Sequence, residues 1–326
     1  MQNYRRRAVL ALGAAGAVAP FSSAFGQSGW PDKPIRIINP YAPGGIADLA
    51  ARIIQPGLQN GLGQPIIIES KPGASGSLGT EYVARSAPDG YTLLLALAAP
   101  QTLNQYIFKS VNYDGLKDFA PIALINTNPL VLMVNPQLPV NNVRELISYA
   151  KANPGKLNFA GAGGLTQFSG EIFKHVAGVD MVHVPYRGGA PAVAAAAAGD
   201  VQLTFANFSD ALTWMRSGRL RAIALTSAKR FPQAPEVPTI AESGLPGFEV
   251  TGWSGLMAPA GTPPAIVDRI ARVLQKDFAE PAMRKRWESI GAEPGHADPA
   301  VFAAMIRSEM QKWSEFVKRT GIKVES

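Results

Sequence analysis

Three times in this chain a short apolar run of the kind that fills a buried strand passes through a glycine turn into a helical pattern. Ile35-Arg36-Ile37-Ile38 leads through Pro43-Gly44-Gly45 to Ala47-Asp48-Leu49-Ala50-Ala51-Arg52. Pro65-Ile66-Ile67-Ile68-Glu69, expected as a buried strand, leads through Lys71-Pro72-Gly73-Ala74-Ser75-Gly76-Ser77 to a helix with Leu78, Tyr82 and Val83 on one face. In the second half, a strand around 157–160 leads through Gly161-Ala162-Gly163-Gly164-Leu165-Thr166-Gln167 to a helix near 168–176. Such a junction leaves backbone N–H groups unpaired at the positive end of a helix dipole, where an anion can bind without a charged side chain. Taken singly, each turn could use glycine only for its dihedral freedom. Three of them, spread over both halves, predict a cleft lined by amides from two domains.

The remaining segments keep the same rhythm. Strands are predicted at 91–97, 129–135, 182–184, 201–205, 220–226 and 252–259, and helices at Val143–Ala152, over the alanine run 192–198, and through most of 264–317. Alternation of this sort argues for α/β architecture, with mostly parallel sheets flanked by helices. The proline-rich stretch 232–246 reads as a connection. A chain of 326 residues, 47% of them hydrophobic, suggests roughly two domains.

The first 26 residues have a different character. Arg5-Arg6-Arg7 precede an apolar stretch from Ala8 to Ala19 and the small residues Ser22-Ser23-Ala24, the layout of a secretory signal peptide cleaved after Ala24 or Gly26. The consecutive arginines also permit twin-arginine export. Without this segment, which holds three arginines and no acid, the net charge falls from +7 to +4. The other cations are scattered and form no basic stripe, which excludes nucleic acid as a partner. With no cysteine in the chain there is no disulfide, no thiolate metal site and no lipid attached through an N-terminal cysteine. An exported, unlipidated protein that serves its own cell belongs in a periplasm.

Enzyme motifs fail. Gly73-Ala74-Ser75-Gly76 and Gly252-Trp253-Ser254-Gly255 lack the last glycine of a nucleophile elbow, and Gly161-Ala162-Gly163 breaks the dinucleotide fingerprint at Thr166. Of the three histidines, His175 sits on a helical pattern and His183 in a strand, both read as packing positions. No metal-ligand spacing or cofactor motif is visible. At the first junction no cation adjoins the glycines. Asp48 is expected to satisfy first-turn amides and fix the loop, and Ser75 and Ser77 to act as N-caps.

Many stretches together resemble the receptors of the tripartite tricarboxylate transporter family, the periplasmic Bug proteins. They include Trp30-Pro31-Asp32-Lys33-Pro34-Ile35, Pro40-Tyr41-Ala42-Pro43-Gly44-Gly45 with Asp48, and Lys71-Pro72-Gly73-Ala74-Ser75-Gly76-Ser77-Leu78-Gly79. Ala87-Pro88-Asp89-Gly90-Tyr91-Thr92-Leu93, Asp118-Phe119-Ala120-Pro121, Val182-His183-Val184-Pro185-Tyr186-Arg187-Gly188-Gly189, Val237-Pro238-Thr239-Ile240-Ala241-Glu242-Ser243-Gly244 and Ala258-Pro259-Ala260-Gly261-Thr262-Pro263 continue the series.

The resemblance implies a two-lobed, type II-like Venus-flytrap binding protein, without catalysis or cofactor, that closes on a small carboxylate. Lobe 1 would comprise 27–126 and 252–326, and lobe 2 127–251, with crossings near 126–129 and 249–252. Tyr41, Ala42, Gly44, Gly45, Ile46, Ala47, Ala74, Ser75 and Ser77 would face the ligand from the first lobe. Gly161, Gly163, Gly164, Thr166, Gln167, Ala206 and Asn207 would face it from the second. The implied partners are membrane permease subunits, with the receptor itself a monomer. A sensor role for the same fold, and an exported hydrolase using Ser75 or Ser254, are the alternatives.

Three departures from the family pattern bear on the ligand. Hydroxyl residues before the matching Asp48 are replaced by Ile46 and Ala47. The glycine loop of the second lobe is about two residues short, with Gln167 where histidine is common. Ala206 stands where an aspartate serves amino-acid ligands. These predict a carboxylate with an apolar or aromatic body and no charged amine, unless a carbonyl or an acid such as Glu171 serves the amine instead.

Overall fold

The computed structural model describes residues 29–322, so the basic, apolar segment 1–26 lies outside the described residues. In chain order the elements are β1 (Ile35–Asn39), α1 (Ile46–Leu62), β2 (Ile66–Ser70), α2 (Ser77–Ala84), β3 (Thr92–Leu97), α3 (Asn104–Ile107), β4 (Phe119–Val134) and α4 (Val143–Ala152). Then come β5 (Leu157–Gly161), α5 (Gly164–Ala177), β6 (Met181–Pro185), α6 (Gly189–Ala198), β7 (Leu203–Asn207), α7 (Phe208–Arg216) and β8 (Arg221–Leu225). The chain ends with β9 (Thr251–Pro259), α8 (Pro264–Ala279), α9 (Pro281–Ser289), β10 (Glu293–His296) and α10 (Pro299–Thr320).

The strands run in the order β2-β1-β3-β9-β4-β7-β5-β6, with β8 and β10 also paired to β4. Each outer wing is parallel: β1 pairs with β2 and β3, and β5 with β6 and β7. The middle is antiparallel, because β4 and β9 pass each other in opposite directions. Strand β4 is the spine. Its residues up to Pro129 pair with β9, and those from Leu130 onward pair with β7 and β8. Pro129, which has no N–H to give a ladder, stands where the strand changes partners.

Helix α1 forms because Ala47, Ala50, Ala51, Ile54, Leu58 and Leu62 recur at helical spacing and are buried together. Strand β2, expected to be buried, is an edge strand: only Ile66 is buried and Ile67 is exposed. Two strands escape the sequence reading, the first ten residues of β4 and all of β10. Helix α10 packs against both wings. Phe302 and Ile306 join a core with Ile38, Leu94 and Met257, while Trp313 joins one with Leu132, Phe168, Phe173 and Phe205.

Among the described residues no helix is long and apolar enough to cross a membrane, and no group of three or more His, Asp or Glu is arranged to hold a metal ion.

Candidate functional site

The loop between β1 and α1 is pinned from its start. Asn39, buried at the end of the strand, accepts the Tyr41 N–H on Oδ1 at 3.0 Å. Gly44 then takes φ +89°, a left-handed conformation that a residue with a Cβ resists. Its N–H donates to Asp48 Oδ2 at 3.2 Å, and Arg52 Nε donates to the same oxygen at 2.9 Å. Asp48 fixes the loop as expected but satisfies no first-turn amide, since Gly44 precedes the N-cap, and the turn does have a cation nearby, Arg52 lying one helical turn beyond Asp48. The helix N-cap is Gly45, which supplies no side-chain acceptor. The amides of Ile46 and Ala47 therefore have no intrahelical partner. Ala42, Gly44 and Gly45 are exposed, Ile46 is half-buried, and the Ala47 methyl is in the core.

The second loop is strained. Ala74 and Ser75 take φ +47° and +51° in succession, a conformation that costs a non-glycine residue roughly 1–2 kcal/mol. Backbone strain of this kind persists where surrounding structure over-determines it. Here the Ser75 carbonyl accepts from the Tyr41 hydroxyl and from Asn104 Nδ2, both at 3.0 Å. The serines do not cap as expected. The N-caps are Gly73 for the short turn and Gly76 for α2, while Ser77 Oγ is buried and accepts from Asn104 Nδ2 at 2.9 Å. Burial, with the neighbouring Tyr113 second, raises the Tyr41 phenol far above its ordinary pKa, so it stays a neutral donor.

In the second wing, α5 starts three residues after β5 with Gly163 as an N-cap at φ +79°, again without a side-chain acceptor. Thr166 stitches the loop instead, accepting from the Ala162 N–H and donating to the Gly163 carbonyl, both at 2.9 Å. Gly161 packs against the His183 ring and the Gln167 backbone. The two wings meet at these loops. A Cβ on Gly164 would stand 2.7 Å from the Tyr41 hydroxyl oxygen, and one on Gly163 would stand 3.6 Å from Ser75 Oγ.

Asn207 is the N-cap of α7. Its Oδ1 accepts from Asn128 Nδ2 and its Nδ2 donates to Asp210 Oδ2, each at 3.3 Å. Ala206, one residue earlier on β7, points the other way, its methyl buried with Val131, Ala160 and Val193. Sequence reading missed Asn104, Asn128 and Asp210. The Asn-x-x-Asp spacing of 207 and 210 was the available signal for the last, since residues three apart share a helix face. Burial raises the Asp210 carboxyl above its ordinary pKa, and the bond from Asn207 opposes that. Glu171, the alternative acid, is already paired with Lys174 at 3.1 Å.

The other candidates sit in the scaffold. The His183 ring lies tilted 5.0 Å from Phe159, and the His175 ring lies edge-on 6.0 Å from Phe316. Burial lowers the His183 pKa, favouring a neutral ring. Ser254 is buried inside β9, between Leu97 of β3 and Asn126 of β4.

Known proteins match this arrangement along nearly its whole length. The profile of the tripartite tricarboxylate transporter family receptors matches residues 50–322. The chain is 36% identical to BugT of Bordetella pertussis over 317 residues, 96% of each chain. Among solved structures, an R. palustris protein with adipate shares 34% identity at a TM-score of 0.84, over 90% of this chain and 99% of its own. MatC from Rhodopseudomonas palustris with bound malate shares 33% at 0.82, over 88% and 99%. The periplasmic binding protein BugD shares 34% at 0.82, over 91% and 100%. The fold is thus the two-lobed fold of periplasmic binding proteins, and the chain belongs to the tripartite tricarboxylate transporter receptor family.

Proposed function

We propose that this chain is an extracytoplasmic solute-binding receptor that captures a small carboxylate between its lobes and delivers it to the permease subunits of a tripartite tricarboxylate-type transporter. The observation that carries this reading is the convergence of uncapped helix starts, α1 from one wing and α5 from the other, on Tyr41 and Ser75. Adipate and malate in the related structures support the ligand class. The lobes are 27–126 with 252–326, and 127–251, joined where β4 changes partners and where β9 begins. Ligand lies against Gly44-Gly45, Ser75 and Gly163-Gly164, held by amides and bridging water. Residues 1–26 direct export to the periplasm, where the mature receptor works as a monomer.

The preferred ligand lacks a charged amine. A buried ammonium without a carboxylate partner costs several kcal/mol. Ile46, Ala47 and Ala206 offer no acceptor, Asp48 is held by Gly44 and Arg52, and Asp210 by Asn207. Calorimetry with the matched pair succinate and aspartate tests this. Succinate is expected to bind more tightly, and tighter binding of aspartate would show the reading to be wrong.

A further inference from the structure

Asparagine at an N-cap ordinarily turns its side-chain oxygen back onto first-turn amides. Asn207 does not. Its amide is held between two other side chains, and the chain of bonds extends further, because Asn126 Nδ2 donates to Asn128 Oδ1 at 3.5 Å. Asn126, Asn128 and Asn207 therefore donate in one direction, from the interior of β4 to Asp210 on α7. Asn126 and Asn128 share one face of β4, two residues apart, immediately before the strand changes partners at Pro129. Asp210 packs against Gly189 at the start of α6, where an added Cβ would displace the carboxylate.

This order decides which way the Asn207 amide points. Asp210 Oδ2 accepts from the NH2 side of Asn207, and Asn128 Nδ2 donates to its oxygen side. One N–H of Asn207 is left over for an anion. Resting on the carboxylate reading of the cleft, we propose that Asp210 and Asn128 are positioning residues: they lock the Asn207 amide with one N–H available to the ligand and tie it to β4 between the wings.

With adipate as the probe in calorimetry, Asp210→Ala and Asn128→Ala are each expected to weaken binding about tenfold, the scale of one lost hydrogen bond to a charged group. Asp210→Asn keeps an acceptor for the Asn207 amide and is expected to restore affinity to within about threefold. In an Asn207→Ala background, Asp210→Ala should cost nothing further, because its effect runs through Asn207. An equal penalty in both backgrounds would overturn the proposal. A second readout needs no ligand. The side-chain NH2 pair of Asn207, assigned by its loss in Asn207→Ala, is expected to shift in Asp210→Ala and to return towards its place in Asp210→Asn. An unmoved pair would also overturn the proposal. If that pair responds while adipate, malate and succinate all fail to bind the wild-type protein, the carboxylate reading falls and the locked amide stands.

Discussion

Two groups of helices in this protein begin differently. Away from the cleft, α4 starts at Asn142, whose side chain accepts the Glu145 N–H at 2.9 Å. Likewise α10 starts at Asp298, which accepts from Ala300 and Val301 at 2.9 and 3.0 Å. Helices α8 and α9 start on Pro264 and Pro281, which removes one orphan donor outright. At the cleft, α1 and α5 start on Gly45 and Gly163 and α7 on an asparagine that does not cap, whereas the first amides of α2 donate to the Gly73 and Ala74 carbonyls. The same unpaired amides are satisfied by the chain in one region and left bare in the other. On the proposed function, a bound anion restores the local stability forgone at these helix starts. A ligand that binds only the folded state then raises stability by roughly 2.7 kcal/mol at a hundredfold excess over its dissociation constant.

The largest expected effect of a single change is at Gly45. A Cβ there meets nothing within 4 Å, and φ is −84°, so Gly45→Val leaves the fold intact. Its branched side chain blocks approach to the α1 amides, and affinity for the bound carboxylate is expected to fall by about a hundredfold or more. Unchanged affinity in a folded variant, measured by calorimetry, would break the contrast between the two kinds of helix start. On the other side of the contrast, Asn142→Ala and Asp298→Ala should each lower stability to denaturant by about 1 kcal/mol and leave affinity unchanged.

A smaller effect is expected inside the strut between α10 and β9, where Glu309 accepts the Trp253 indole N–H at 3.2 Å. Burial, the largest influence, raises the Glu309 carboxyl above its ordinary pKa. The folded state is therefore favoured while Glu309 is protonated, and that advantage is lost as pH rises through the folded pKa. Glu309→Gln keeps an acceptor for Trp253 without the charge. Thermal unfolding should show a gain for the variant near neutral pH that shrinks as the pH is lowered and the wild-type acid becomes protonated. A gain at acidic pH instead would reverse the sign of the effect.

Much of this was legible because a strand, a glycine turn and a helix start are local patterns. The loops at Gly44, Ser75 and Gly163 could be located, and Asp48 given its role, without knowing what lay opposite. What the pattern could not carry was tertiary. Residues 119–128 carried no strand expectation, yet they form the first ten residues of β4 because β9 and β10 pair with them. Glu293-Pro294-Gly295-His296 falls within the stretch expected to be largely helical and is a strand because it pairs with β4. Ser75 and Ser77 have the right chemistry for caps, but Ser75 is held left-handed by Tyr41 and Asn104, and Ser77 faces inward. Asn207 was found through resemblance, whereas its partner Asn128 comes from 79 residues away and had no sequence signal.

The claim that cleft amides are left bare for a carboxylate is tested most directly by titrating adipate into isotope-labelled protein and following backbone amide resonances. The amides of Gly45, Ile46 and Ala47 at α1, and of Gly164 and Leu165 at α5, are expected to move most. Those of Glu145, Ala300 and Val301, already served by Asn142 and Asp298, should stay in place. Saturable binding of adipate that leaves the α1 and α5 amides unmoved would contradict the account.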